Sequence, residues 1–460
     1  MNFNVGKIVK DLNKFFSNIC SYDTVNKYSE KKLRHREAGL SIPDVLLYKF
    51  HYTDKNLTKQ NIASNINYHN LNSKLNNKPF FVKSYESKEN NIGLKYYEHF
   101  LDSIIAFHNE HFNNSGKKDL IFLAVDGTCS SDKKNNVMLN MGYFDITNSV
   151  PVNLINNGSI NRNREVKMLI DDIKTNPTKY TNVVLVADRL YFTYDLMDFL
   201  IANNIKFIIR GKGSCDLLDS PKENMPKYDV VKKIRRHIRI VKCKNTYEKV
   251  IYSMKSKKKT GTKFSISIEN NCNIVTNLTD VSKYSNGQIL ELYRKRWDIE
   301  TFFKYIKNNF KFQTMKEKDT IQYQKLYCCE MIITYIMLIL QKIYLKMHKK
   351  VLANDEKIND SLLTRAIFDE FLDDALRSRL TENKMNYFLL SYIQIFKNKE
   401  NRTFPRTSIT PFTKWYVKGY SISTKMIKIL IAIQENKISD LNKNEKLIAN
   451  KIKINKIESI

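Results

Sequence analysis

The chain has 460 residues, enough for two to four domains, and 42% of them are hydrophobic, which excludes a globally disordered protein. Lys and Arg total 77 against 47 Asp and Glu, a net charge of +30 that predicts salt-sensitive attraction to nucleic acid, although a coding bias toward Lys, Asn and Ile would inflate it too. The seven cysteines form no Cys-x-x-Cys pair and the eight histidines show no ligand spacing, which excludes a zinc knuckle or redox motif; the odd cysteine count and the lack of a signal peptide predict a reducing compartment, the cytoplasm beside the nucleoid in a prokaryote.

Residues 1–115 read as a helical, polar, basic region with a DNA-binding role. Within it Leu57–Leu75 fits either a helix-turn-helix or an ordinary helical hairpin. In the first reading Ile62 and Ala63 lie in one helix, Asn67 near the turn, and Leu71 and Leu75 on the inner face of the second. From residue 119 the pattern changes. "LIFLAVD" is a continuous apolar run ending at Asp126, and "VMLNMGYFD" and "VPVNLIN" follow as strands. "REVKMLIDDI" reads as a helix, "NVVLVAD" as a strand ending at Asp188, "YDLMDFLIANN" as a helix and "IKFIIRG" as a strand. Three strands, then helix, strand, helix, strand predict an α/β arrangement with a mixed sheet over 116–210.

Residues 211–284 read as a β-rich insertion of short alternating segments. Its clusters Lys232, Lys233, Arg235, Arg236, Arg239 and Lys255, Lys257, Lys258, Lys259 suit a phosphate backbone, or solvated turns that guard edge strands. Residues 285–350 return to helix. Ser285 and Gln288 fit a capping box just before Ile289. "MIITYIMLIL", Met331–Leu340, is too short a run to span a bilayer and reads as a buried helix. Residues 351–460 read as helical and basic, with a poorly ordered Lys- and Asn-rich stretch from about 435.

The chemistry concentrates on "LYRKRWDIETFFKYIKNNF", Leu292–Phe310. At about 100° per residue, Tyr293, Arg296, Glu300 and Lys307 line one narrow stripe of a single helix. Leu292, Ile299, Phe303, Ile306 and Phe310 form a second, apolar stripe roughly 90° away. A solvated charged face explains the first stripe equally well. Asp126 and Asp188 each end a buried-looking strand, where a carboxylate meets water and ligand, or simply caps a turn. Joined by Glu300 from a docked helix, the two aspartates would hold two Mg²⁺ ions about 3.5–4 Å apart for in-line displacement at phosphorus. Tyr293, Arg296 and Lys307 would then grip flanking phosphates, and the nearby cation would keep Glu300 ionised.

These residues resemble a known family. Tyr293, Arg296, Glu300 and Lys307 match without a gap the Tyr-x₂-Arg-x₃-Glu-x₆-Lys signature of DDE transposases of the insertion-sequence (IS-four-like) group. "RWDIE" with Trp297, "TNL" at Thr276–Leu278, and "DGT" at Asp126 match as well. The second aspartate motif usually reads Asp-Arg-Gly-aromatic; here it is Asp188-Arg189-Leu190-Tyr191. The resemblance covers roughly residues 119–345. It implies an RNase H-like core with a mixed five-stranded sheet, interrupted by a β-rich insertion before the last catalytic helix. It also implies Mg²⁺-dependent cleavage at element ends, with Mn²⁺ able to substitute, and strand transfer into target DNA within a homodimeric complex. Excision in this family often passes through a hairpin with a flipped base held by an aromatic side chain. Trp297 is a candidate DNA contact with Arg189, although its place on the helix favours core packing. The rival readings are a metal-dependent nuclease that cuts without joining, and a non-catalytic DNA-binding derivative.

Overall fold

The computed structural model describes residues 3–29, 32–33, 39–54, 57–72, 79–112, 120–132, 137–156, 165–211, 217, 222–253, 263–315, 320–353, 356–397 and short pieces at 415–417, 420–421, 429, 432, 437–442, 445–446 and 452–456, some strand ends by backbone alone. The chain opens with helices α1 (Val5–Ile19), α2 (Tyr22–Lys27), α3 (Ile42–Tyr52), α4 (Lys59–Asn72), α5 (Val82–Asn90) and α6 (Leu94–Phe112). Strands β1 (Ile121–Asp132), β2 (Val137–Asp145) and β3 (Val150–Asn156) follow, then α7 (Glu165–Thr175), β4 (Val183–Ala187), α8 (Tyr194–Ala202), β5 (Lys206–Arg210) and α9 (Tyr228–His237). The hairpin β6 (Arg239–Ser253) and β7 (Lys263–Thr276) leads to α10 (Asn286–Lys295), α11 (Trp297–Asn309), β8 (Thr314–Met315) and α12 (Thr320–Met347). Beyond lie β9 (Glu356–Ile358), α13 (Asp360–Ala366), a π-turn, α14 (Leu372–Leu376), α15 (Glu382–Tyr392), β10 (Ile395–Lys397), β11 (Trp415–Val417), β12 (Tyr420–Ser421) and β13 (Ile452–Lys456). The fold is mixed α/β. It divides into two compact units, residues 1–187 with 294–398, and residues 188–293 with 399–460.

In the first unit the order β3-β2-β1-β4 has antiparallel, antiparallel and parallel neighbours, the arrangement of an RNase H-like core. The sequence explains it. Leu123, Ala124, Val125 and all five residues of β4 are buried, as a strand covered on both faces requires. β4 pairs with β1 only from Ile121 to Val125, and β8 takes up the same edge at Ser131 and Asp132. Among the described residues nothing pairs with that edge between them. Asp126 therefore does not end its strand, as its sequence suggests; β1 runs on to Asp132 because β2 keeps pairing with it. What ends at Val125 is the parallel neighbour.

Helices cover both faces. Phe302 of α11 lies 5.9 Å, ring to ring, from Phe144 of β2. On the opposite face Tyr143 donates to Asp172 of α7 at 2.9 Å. α12 is long and apolar enough by length and composition to cross a membrane, yet 83% of that stretch is buried inside the protein. It packs on α6, and Tyr323 and Tyr335 tie it to Ser130 of β1 and to the Pro151 carbonyl of β3. The helix-turn-helix reading of 57–75 does not hold. α4 runs unbroken through Asn67, whose amide exchanges hydrogen bonds with the Phe80 backbone at 2.7 and 3.0 Å and so braces a helical hairpin with α5. Ile62 and Ala63 are buried as expected, Leu71 is 43% exposed, and Leu75 lies outside the described residues.

In the second unit β7 pairs with β6 on one edge and with β5 and β13 on the other, while β11 extends β6. The tail expected to be helical thus contributes strands, though most of the stretch from 435 lies outside the described residues. The "TNL" segment has a structural task. The Thr276 hydroxyl donates to the Phe207 carbonyl at 2.6 Å, and Asn277 accepts from Phe207 N–H and donates to the Ile205 carbonyl, clamping β5.

Candidate active site

Asp126 sits where β1 loses β4, with its side chain 21% exposed and its Oδ1 accepting from Gly127 N–H at 2.9 Å. The glycine leaves room for a neighbouring carboxylate. A Cβ at position 127 would meet the Glu165 carboxylate, because the buried Glu165 opening α7 lies against that backbone. Sequence reasoning missed Glu165; a glycine inside a strand, which marks close approach, was the available signal.

On the other face, Arg296 reaches both acids. It donates through one guanidinium nitrogen to Asp126 Oδ2 at 3.3 Å and through the other to Glu300 Oε1 at 2.5 Å. The Arg296 side chain is 7% exposed, and 170 residues of chain separate it from Asp126. The single helix expected over 292–310 is two: α10 stops at Lys295, α11 starts at Trp297, and Ile299 N–H bonds the Arg296 carbonyl at 3.2 Å. The stripe from Tyr293 to Lys307 therefore does not run along one helix. Arg296 makes no side-chain cap for α11, its guanidinium being committed to the carboxylates. Asp298 and Glu300 fall in the first turn, where the helix dipole favours negative charge. Ile299, Phe302, Phe303, Ile306 and Phe310 are buried and fix the helix; Leu292, assigned to the same stripe, is only half-buried. Each such burial stabilises by about 1.5–3 kcal/mol.

Lys307 is half-buried on α11. Burial pushes its pKa below the ordinary lysine value, opposed by Cys129 and by the Asp126 carboxylate. Burial likewise raises the Asp298 carboxyl, opposed by Lys295 and Lys357. Trp297 does not pack in the core; it is 57% exposed, with the Arg296 guanidinium 5.9 Å from its ring.

In the second unit, Asp188 caps the short 3-10 turn Arg189–Tyr191, its Oδ1 accepting from Leu190 N–H at 2.6 Å. Leu190 is 40% exposed, and the chain's left-handed non-glycine positions do not include it, so the usual glycine is dispensable there. Arg189 is exposed and Tyr293 half-buried in the last turn of α10. Of the basic clusters, Lys233 pairs with Asp198 of α8 at 2.7 Å, Arg235 donates to the Leu217 carbonyl at 3.3 Å and Arg239 to that of Tyr284; Lys232 and Arg236 are exposed. Lys255 and Lys257–Lys259 lie outside the described residues.

The structure thus brings together Asp126, Arg296 and Glu300, with Lys307 near Asp126. Among the described residues no group of three or more His, Cys, Asp or Glu side chains is arranged to hold a metal ion. The pair that converges offers hard, partly exposed carboxylate oxygens, the donor chemistry that magnesium takes.

Residues 123–324 match the family model described as the transposase DDE domain, a stretch that contains Asp126, Asp188 and Glu300. Among solved structures, the chain is similar to piggyBac transposase in a synaptic complex with hairpin DNA, at 6% identity and a TM-score of 0.43, covering 87% of this chain and 88% of that one. No curated protein matches the sequence.

Proposed function

We propose that the chain is a DNA transposase that cuts at element ends and joins them to target DNA by two-metal, in-line phosphoryl transfer. One observation carries the reading: within the stretch that matches the transposase domain, Asp126 and Glu300, far apart in the chain, converge on one guanidinium. Asp188 completes the acid set. It follows Ala187, the last residue of β4, whose partner in the ladder is Val125, the residue before Asp126. A magnesium pair, when held by the three carboxylates, supplies an activated water or 3′-hydroxyl and stabilises the leaving oxygen.

The chain's own residues do the rest. Arg296 and Lys307 sit beside the acids and offer cations to the phosphates on either side of the scissile bond. Arg189, Tyr293 and the exposed ring of Trp297 contact the flanking duplex. Two copies pair two ends in the DNA complex, and Mn²⁺ replaces Mg²⁺.

The test uses labelled duplexes taken from the two flanks of the coding region, with a supercoiled target plasmid. The wild type cuts and joins when Mg²⁺ is present, and Glu300→Gln loses both by at least about a thousandfold while retaining duplex binding. Cleavage without joined product would make the protein a nuclease, and binding without cleavage in any divalent ion would make it a DNA-binding derivative.

A further inference from the structure

We infer that Arg296 is a positioning residue that stands in for the metal: it holds Asp126 and Glu300 together before a divalent ion binds, and must let go for that ion to enter. The inference rests on the proposed function for the identity of the two acids. Its own support is geometric. The two carboxylates approach each other through one side chain, with contacts of 3.3 and 2.5 Å to separate nitrogens of one guanidinium. The Arg296 side chain is 7% exposed, so solvent screens its charge little. Its planar fork matches two acceptors at once, which a lysine ammonium does not.

A magnesium ion takes carboxylate oxygens at about 2.0–2.1 Å. The carboxylates that would hold it are those of Asp126 and Glu300, one oxygen of each already bonded to Arg296. A dication and a guanidinium beside the same two carboxylates repel each other, so the two occupants would compete. Arg296 is the residue before α11 and its side chain does not cap that helix. Once displaced, its guanidinium is free to turn to an anion brought by the substrate, a phosphate oxygen of the strand being cut. The exposed indole of Trp297, 5.9 Å from the guanidinium, gives the cation an apolar face to slide along.

This predicts an effect opposite to that of an ordinary structural arginine. Removing a residue that merely orders the site would weaken ion binding. Removing a competitor strengthens it, by about tenfold, the size of one hydrogen bond to a charged group. The experiment measures Mn²⁺ binding by electron paramagnetic resonance on the full chain without DNA, for wild type, Arg296→Gln, Arg296→Lys and Glu300→Gln. Arg296→Gln should bind Mn²⁺ about tenfold tighter than wild type and melt at a lower temperature in chelator, its two carboxylates no longer bridged. Should it fail to fold, Arg296→Lys, which cannot span both acids, carries the test and should also bind tighter. If both arginine variants bind Mn²⁺ no tighter than wild type, while Glu300→Gln loses it, the stand-in role is overturned and the acid assignment survives. If no version binds Mn²⁺ without or with duplex DNA, the metal-dependent function falls as well.

Discussion

Lys307 shows at the scale of one residue what burying a charge does to stability. Burial holds its pKa below 10.5, so between its folded value and 10.5 the unfolded chain binds more protons and stability rises with pH. Lys307→Met, which removes the buried charge, should therefore raise the urea midpoint at pH 7 by an amount worth about 0.5 kcal/mol, a small figure because the group is half-exposed. The advantage should shrink as pH climbs toward 10.5, and cleavage should fall. Gly127 is the second case. Gly127→Ala places a methyl on the Glu165 carboxylate and should cost about 1–3 kcal/mol in urea denaturation. The double variant Gly127→Ala, Glu165→Ala should recover part of that loss; strictly additive losses would show that the two residues do not collide.

At the scale of elements, much of this was legible in the sequence. β2 and β3 match their apolar segments end to end, and α7, β4, α8 and β5 appear where period and burial put them. The capping box held: Ser285 N–H bonds Gln288 Oε1 at 2.8 Å and Gln288 N–H bonds Ser285 Oγ at 3.3 Å. Ser285→Ala should lower stability by about 1 kcal/mol, read from the shift of the urea midpoint. Other features left no local signal. The break at Arg296 carries no proline or glycine, and helical period runs straight through it. The continuation of β1 past Asp126 is written in "GTCSSD", a polar stretch that stays extended only because β2 pairs along it. The strands β11 and β13 return from far along the chain to β6 and β7, and such long-range pairing has no periodic trace. Trp297 looked like core because a large aromatic ring within a helix is usually packed, yet it begins α11 and is 57% exposed.

At the scale of the whole molecule, the chain joins an α/β core with a helical shell to a second unit built on the β6–β7 hairpin, under a net charge of +30. Asp126 and Glu300 belong to the first unit and Asp188 begins the second. Of the three acids the sequence singles out, the structure places Asp126 and Glu300 on one guanidinium. It did not reveal that Arg296 would bind two of them, because the partner acid lies 170 residues away. The most direct test replaces magnesium with Fe²⁺ and adds ascorbate and peroxide, so that hydroxyl radicals cut the polypeptide beside the bound ion. The account predicts backbone cuts clustered at residues 126, 188 and 300 together, all suppressed by excess Mg²⁺ and by Glu300→Gln. Cuts at any one of these positions without the other two, or a cluster elsewhere that Mg²⁺ suppresses, would contradict it.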